Sequence, residues 1–189
     1  MGRELGAAFS LLLACSGESS APVTPPPSRV VAVTAQTNEA ESVDTFCEAQ
    51  GADFDWPSAV EGETPASSGW RWVNVWATWC RPCVEEMPRL QSFRDRLRAE
   101  NIDIELVFLS ADAEASAVAE FHEQHPDHPT GPRATDLEAL RAWFAQLGLD
   151  EGAPLPVQLF VKPDGKLACA RTAAISDDDY ASVKSLLEG

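Results

Sequence analysis

The sequence predicts an α/β domain in which helices flank a mixed central β-sheet. Segments rich in β-branched and aromatic residues alternate with segments whose apolar residues recur every three or four positions. Strands that are joined through helices pair in parallel. The last two strand-like segments are separated only by the turn sequence Pro163-Asp164-Gly165-Lys166, which predicts an antiparallel hairpin at one edge of the sheet.

Four segments have the composition of buried strands, namely residues 72–77, 104–110, 157–161 and 167–170. After the first of them, apolar residues at helical spacing predict a long amphipathic helix that follows Cys83. Its acidic residues fall in the first turn and its arginines near the end, as the helix dipole favours. Pro88 lies inside this helix and is expected to bend it, because proline lacks a backbone N–H.

Three further helices are predicted by local signals. Residues 113–124 have a helical pattern. Residues 135–138 have the spacing of a capping box, which predicts a helix that begins at Thr135 and ends at Gly148. Ser176 and Asp179 are expected to cap the last helix.

The first residues are predicted to be a targeting segment outside the fold. Residues 1–14 contain a short apolar stretch typical of a signal peptide, followed by Cys15. The sequence Leu12-Leu13-Ala14-Cys15 resembles a bacterial lipobox, which makes Cys15 the predicted lipidation site; a tail with an incidental cysteine is the alternative. Residues 15–45 are rich in Pro and Ser and predict a flexible tether, so that the folded domain comprises residues 46–189.

The charge balance excludes some partners. The formal net charge of −16 disfavours nucleic-acid binding, because polyanions repel an acidic surface.

The sequence Trp79-Cys80-Arg81-Pro82-Cys83 indicates thiol chemistry. It stands between a predicted strand and a predicted helix, so that Cys80 occupies a helix N-terminus, where unpaired N–H groups stabilise a thiolate. Arg81 adds a positive charge beside it, and Pro82 suits the first helical turn.

Two other interpretations of these cysteines compete with thiol exchange. Cys80 and Cys83 could form half of a zinc site, with nitrogen ligands from His122, His125 and His128. The histidines are more simply explained as exposed residues at a helix end, and we expect no metal. A purely structural disulfide would close too short a loop to stabilise the fold much.

These residues resemble the thioredoxin superfamily, and within it the TlpA-like membrane-tethered thiol–disulfide oxidoreductases. The resemblance covers residues 52–189, and it is strongest over residues 73–88, which contain the two cysteines. Residues 155–161 followed by Asp164-Gly165-Lys166 are similar to a second block of the family, which carries a cis-proline facing the disulfide. The resemblance implies a thioredoxin-like fold and makes Pro156 the candidate cis-proline, with Pro154 as its rival.

The sequence departs from the family in two places. Asn74 stands where cytosolic thioredoxins have a buried carboxylate, and an amide cannot act as a general base. Glu86 is the nearest acid that could accept the proton of the resolving thiol; a solvated first-turn acid is the alternative. Residues 125–136 also lack the apolar strand that the family often has there.

We therefore expect an extracytoplasmic, membrane-anchored lipoprotein on the periplasmic side that acts as a thiol–disulfide oxidoreductase and reduces protein disulfides. Cys80 attacks, Cys83 resolves, and Trp79, Arg81, Pro82, Glu86 and Pro156 support the site. The expected partners are protein disulfides and a membrane thiol-relay electron donor, with no dissociable cofactor. Two alternatives stay open, namely an oxidase of secreted thiols and a metal or haem-apoprotein chaperone. A role in cytochrome c biogenesis is compatible with the expected activity.

Cys47 and Cys169 are the thiols left over once Cys15, Cys80 and Cys83 have been assigned. An oxidising compartment favours their pairing. Cys169 lies on the last predicted strand and Cys47 begins the domain, so a bridge would hold the N-terminal segment at the sheet edge. Two separate buried thiols are the alternative.

Overall fold

The computed structural model describes residues 42–66 and 68–189. The predicted signal peptide, Cys15 and most of the predicted tether lie outside the described residues. The elements, in chain order, are α1 (Val43–Phe46), β1 (Val60–Glu61), β2 (Trp70–Trp76), α2 (Arg81–Ala99), β3 (Ile104–Ser110), α3 (Ala115–Gln124), β4 (Arg133–Ala134), α4 (Leu137–Gln146), β5 (Val157–Val161), β6 (Leu167–Arg171) and α5 (Tyr180–Glu188). A single 3-10 turn, Asp177–Asp179, leads into α5.

The strands form one sheet in the order β1-β4-β3-β2-β5-β6. The central strand β2 pairs in parallel with β3 and antiparallel with β5. β5 and β6 form the predicted antiparallel hairpin. The predicted fold class, a mixed sheet flanked by helices, is therefore confirmed.

Alternate residues of β2 pack into two apolar clusters, one on each face of the sheet. Trp72 and Trp76 belong to a cluster that includes residues of α2 and α5, and Val73 and Val75 belong to one that includes residues of α4. Burying a large apolar side chain contributes roughly 1.5–3 kcal/mol. Because both faces of the sheet are covered, β2 is packed on two sides. Its C-terminal end therefore holds the start of the turn that leads into α2 in a defined position.

The strand predictions at residues 104–110 and 157–161 are confirmed to the residue. The two-residue strands β1 and β4 were missed, because they are too short to show a periodic pattern. β4 is the strand found within residues 125–136, and it pairs with β3 only at Ser110↔Arg133. The helix α1 begins at Val43, inside the segment predicted to be the tether.

The predicted capping box at Thr135 is wrong. The N-cap of α4 is Asp136, whose side chain accepts hydrogen bonds from the backbone N–H groups of Glu138 and Ala139. The N–H of Thr135 instead donates to the carbonyl of Ala59 at 2.9 Å, which continues the pairing of β4 with β1. The predicted cap at Ser176 and Asp179 is present and leads into α5.

None of the helices within residues 42–66 and 68–189 is both long enough and apolar enough to cross a lipid bilayer. The helix α2 continues through Pro88 as far as Ala99.

Candidate active site

The Cys80–Cys83 pair lies where β2 gives way to α2. Cys80 is the N-cap of α2, and proline follows in the first helical turn. The two sulfur atoms are bonded at 1.96 Å, and the Cα atoms are 5.3 Å apart. A spacing of three positions on a helix places both side chains on one face, so the bond spans a single turn.

The surroundings of the two sulfurs are unequal. Cys83 is fully buried, and Cys80 keeps 5% of its exposure, while the adjacent Trp79 is 72% exposed. The positive end of the helix dipole lies at Cys80 and favours a thiolate there. Arg81, which the sequence suggested as a further source of positive charge, forms an ion pair with Glu85 at 2.6 Å, so its charge is compensated.

Glu86 is buried beneath the pair, with 1% of its surface exposed. One carboxylate oxygen accepts hydrogen bonds from the side-chain amides of Asn74 and Gln158, both at 2.8 Å. The other accepts the backbone N–H of Ile175 at 2.6 Å. Burial raises the pKa of Glu86 to about 7, against the opposing effect of these hydrogen bonds and of the charge of Arg89. The alternative of a solvated first-turn acid is therefore wrong.

Gln158 is a site residue that the sequence reasoning missed. It lies on β5, is fully buried, and accepts a hydrogen bond from Nε1 of Trp72 at 2.9 Å while donating to Glu86. The signal for it was a polar residue within the otherwise apolar run of residues 157–161. Asn74 donates to Glu86, in keeping with the expectation that it is not a base.

Asp112 was missed as well. It follows β3, is 3% exposed, and accepts hydrogen bonds from the N–H and hydroxyl of Thr78 at 2.9 and 2.7 Å. It also accepts from the hydroxyl of Ser110 at 2.8 Å. A carboxylate just beyond the C-terminal end of a parallel strand was the available signal.

The cis peptide bond falls between Leu155 and Pro156, at the candidate position and not at Pro154. Pro156 immediately precedes β5, whose first residue, Val157, pairs with Val75 of β2. The cis-proline therefore lies next to the end of β2 that leads into the cysteine turn.

Two grooves flank Trp79. One has a volume of about 280 Å³ and an apolar lining that includes Leu137, Leu140, Phe144 and Leu155. Trp79 and Leu137, the two large apolar side chains that are exposed among the described residues, both line it. The other groove, of about 560 Å³, lies between α2 and α3 and is lined by charged and ring-bearing residues, among them Arg81, Glu120 and His125.

The three histidines gather around Phe121. The ring centroids of Phe121 and His125 are 4.6 Å apart, and those of His125 and His128 are 5.1 Å apart. Burial, and then the charges of the other two histidines, lower the pKa of His128. Within the described part of the chain no group of three His, Cys, Asp or Glu side chains is arranged to hold a metal ion.

Cys47 and Cys169 form the second disulfide of the structure, with an S–S distance of 1.97 Å and 122 positions between them. Cys169 lies on β6 and is fully buried, and Cys47 is 8% exposed. The segment that follows Cys47 pairs with β6, because the N–H of Ala170 donates to the carbonyl of Ala49 at 2.8 Å. The bridge and this pairing together hold the N-terminal segment at the sheet edge.

A mixed sheet, a disulfide at the N-terminus of the helix after its central strand and a cis-proline at the start of the neighbouring strand together define a protein of the thioredoxin superfamily. The chain belongs to the Redoxin family, whose model matches residues 66–185.

Curated relatives carry the name thiol-disulfide oxidoreductase ResA. The protein from Bacillus cereus is 29% identical over 98 residues, which cover 50% of each chain. The protein from Oceanobacillus iheyensis is 30% identical over 95 residues, covering 50% of this chain and 45% of its own. The chain thus spans about half the length of these relatives.

Two solved structures show the same fold. The thiol:disulfide interchange protein DsbE from Chlorobium tepidum aligns with a TM-score of 0.55 at 17% identity, over 75% of this chain and 96% of its own. The thioredoxin domain of a thiol-disulfide oxidoreductase from Bacteroides vulgatus aligns with a TM-score of 0.51 at 15% identity, over 78% and 99%. The predicted membership of the thioredoxin superfamily is confirmed.

Proposed function

We propose that this chain reduces disulfides in extracytoplasmic proteins through the Cys80–Cys83 pair. The observation that carries the proposal is the position of that pair, at the N-terminus of α2 and beside an exposed tryptophan that lines an apolar groove. The name shared by the curated relatives, thiol-disulfide oxidoreductase, supports exchange chemistry.

The reaction proceeds in two exchanges. In the reduced protein the Cys80 thiolate attacks one sulfur of a target disulfide, which forms a mixed disulfide and releases the other target sulfur as a thiolate that takes up a proton. Cys83 then loses its proton and attacks the sulfur of Cys80, forming the Cys80–Cys83 bond and releasing the second target thiolate. Two electrons pass from the pair to the target, and no dissociable cofactor is needed.

Glu86 is the proposed acceptor of the Cys83 proton. It lies three positions after Cys83 on α2, which places the two Cβ atoms about 5–6 Å apart on the same helical face. A general base works best when its pKa is close to the working pH, and burial brings the pKa of Glu86 to about 7.

The proposed direction is reduction of the target. A strongly oxidising pair needs a reduced form that is unusually stabilised. Here the ion pair with Glu85 compensates Arg81, and the net charge of −16 also opposes a thiolate. After each turnover the Cys80–Cys83 disulfide must be reduced back to the dithiol, and we propose a membrane thiol-relay protein as the electron donor. Lipid at Cys15 would keep the domain close to that donor and raise its effective concentration.

Equilibration of the domain with glutathione buffers tests the direction. We expect a reduction potential more negative than roughly −200 mV, and a value near −120 mV would make the protein an oxidase.

Turnover of a disulfide-bonded peptide distinguishes an exchange enzyme from a chaperone that only binds its partner. Intact-mass analysis of membrane-extracted protein tests the anchor: an unmodified Cys15 would exclude it.

The apolar groove is the proposed contact for protein targets. Leu137 is 40% exposed in this groove and lies on α4, away from the cysteine turn. Leu137→Ser should raise the KM for a disulfide-bonded protein and leave reduction of glutathione disulfide unchanged. Ala142→Ser is the matched control, because Ala142 is exposed on the same helix and does not line the groove. Equal losses with both substrates would argue against the groove.

A further inference from the structure

Asp112 is a buried acid that the proposed exchange reaction does not use. Its carboxylate accepts three hydrogen bonds, two from Thr78 and one from the hydroxyl of Ser110. An ionised carboxylate only accepts hydrogen bonds, and all three partners here are donors. The charge is therefore held in place by neutral groups.

The two bonds from Thr78 fix the turn that carries the cysteine pair. Thr78 lies two residues before Cys80, and the N–H of Cys80 donates to the carbonyl of Ala77 at 3.0 Å. The N–H of Ala111 also donates to the carbonyl of Trp76 at 2.7 Å. The end of β3 thus holds the turn through its backbone, and Asp112 adds side-chain contacts to Thr78, two residues before Cys80.

The charge of Asp112 also lies near Cys80. Two residues span at most about 7 Å, so the carboxylate that accepts the N–H of Thr78 is within roughly 10 Å of the backbone nitrogen of Cys80 and within roughly 14 Å of its sulfur. The nearby cation Arg133 does not neutralise it. Arg133 donates to the backbone carbonyls of Asp112 and Ala113, and its ion pair is with Glu61.

We propose that Asp112 is a positioning residue that lowers the reduction potential of the Cys80–Cys83 pair. It holds the turn, and its negative charge opposes the stabilisation that the N-terminus of α2 gives to the Cys80 thiolate. A less stable dithiol form makes the disulfide harder to reduce. The proposal rests on the exchange activity proposed above.

Asp112→Asn removes the charge and keeps an oxygen that can accept from Thr78. Two unit charges roughly 10–14 Å apart, at the effective dielectric constant of about 20 found near protein surfaces, change an equilibrium by about tenfold. The equilibrium constant with glutathione should move by about tenfold toward the dithiol, a rise of about 30 mV for a two-electron couple. Alkylation of Cys80 should also begin at lower pH.

Thr78→Val tests the same idea with the charge in place. It removes one hydrogen bond of the turn and leaves the charge of Asp112, so the equilibrium constant should shift much less than in Asp112→Asn. Thr78→Ser, which retains the hydroxyl, should restore the wild-type value. Asp95→Asn, an exposed carboxylate on α2, is the matched charge control and should leave the constant unchanged.

A shift of about tenfold in Asp112→Asn with a much smaller one in Thr78→Val supports the proposal. An unchanged constant in folded Asp112→Asn, or an equal shift in both variants, would overturn it. If Asp112→Asn does not fold, Asp112→Ser is the neutral variant in its place, with the same expected shift and the same contrary outcome. Failure of the wild-type protein to exchange with glutathione at all would instead refute the proposed function.

Discussion

The two disulfides have almost the same span and very different settings. Their Cα–Cα distances are 5.2 Å for Cys47–Cys169 and 5.3 Å for Cys80–Cys83. All four cysteines belong to the same apolar cluster of buried residues. Burial alone therefore does not distinguish a stabilising bridge from a reactive one in this protein.

Position in the chain separates the two bridges. Cys47–Cys169 joins residues 122 positions apart and ties the N-terminal segment to β6, so it restricts the unfolded chain strongly. Cys80–Cys83 joins residues 3 positions apart and restricts it little. The short bridge has instead a helix N-terminus, an exposed Trp79 and a buried Glu86 on the same helix, which are features that suit the proposed exchange reaction.

The largest expected effect comes from breaking the short bridge. Cys83→Ala should abolish turnover and accumulate a mixed disulfide between Cys80 and its target, because no resolving thiol remains. Non-reducing electrophoresis and peptide mapping would detect the adduct. Cys80→Ala is the matched control and should trap nothing. If Cys80→Ala were the variant that traps partners, the roles of the two thiols would be reversed.

Breaking the long bridge should cost stability and spare the chemistry. The chain-entropy relation gives about 4–5 kcal/mol for a closed loop of this length, so Cys47→Ala with Cys169→Ala should lower the free energy of unfolding by an amount of that order. Denaturant titration measures the loss. The exchange rate of the folded double variant should stay at the wild-type value, and a lost rate in folded protein would contradict the division between the two bridges.

Glu86, on the helix that carries the short bridge, makes the stability of the fold depend on pH. Its folded-state pKa of about 7 is above the ordinary value of 4.5. Between these values the folded state keeps the proton that the unfolded state has released, so stability falls as pH rises. About 3 kcal/mol present below pH 4.5 should be lost by about pH 7.

Glu86→Gln should flatten this part of the stability curve, measured by denaturant titration between those pH values. It should also slow the release of the mixed disulfide, because the proposed proton acceptor is gone. Glu85→Gln, its exposed neighbour, is the control. A variant that keeps the full pH dependence would show that another group titrates.

The smallest effect is expected at the exposed ion pair beside Cys80. The side chains of Arg81 and Glu85 are 87% and 59% exposed, so solvent screens their charges. Arg81→Gln should change the exchange rate by only about twofold at low salt, and the difference should vanish at high salt. A large change that persists at high salt would mean that Arg81 contacts the target directly.

Local signals in the sequence were sufficient for much of the fold. Continuous apolar runs identified β3 and β5 to the residue, and the helical spacing after Cys83 identified α2. The two cysteines and their place between a strand and a helix were also readable, because strand, turn and helix are adjacent in the chain. β1 and β4, with two residues each, carried no such pattern.

The sequence by itself determined the cysteine pair, the strands and helices around it and the resemblance to TlpA-like proteins. Tertiary structure alone decided what surrounds the pair. Glu86 takes its hydrogen bonds from residues 12, 72 and 89 positions away. Asp112 meets Thr78 across 34 positions. Such contacts leave no periodic trace in the sequence, because they arise only when β2, β3 and β5 pair and bring distant polar residues beneath one helix N-terminus.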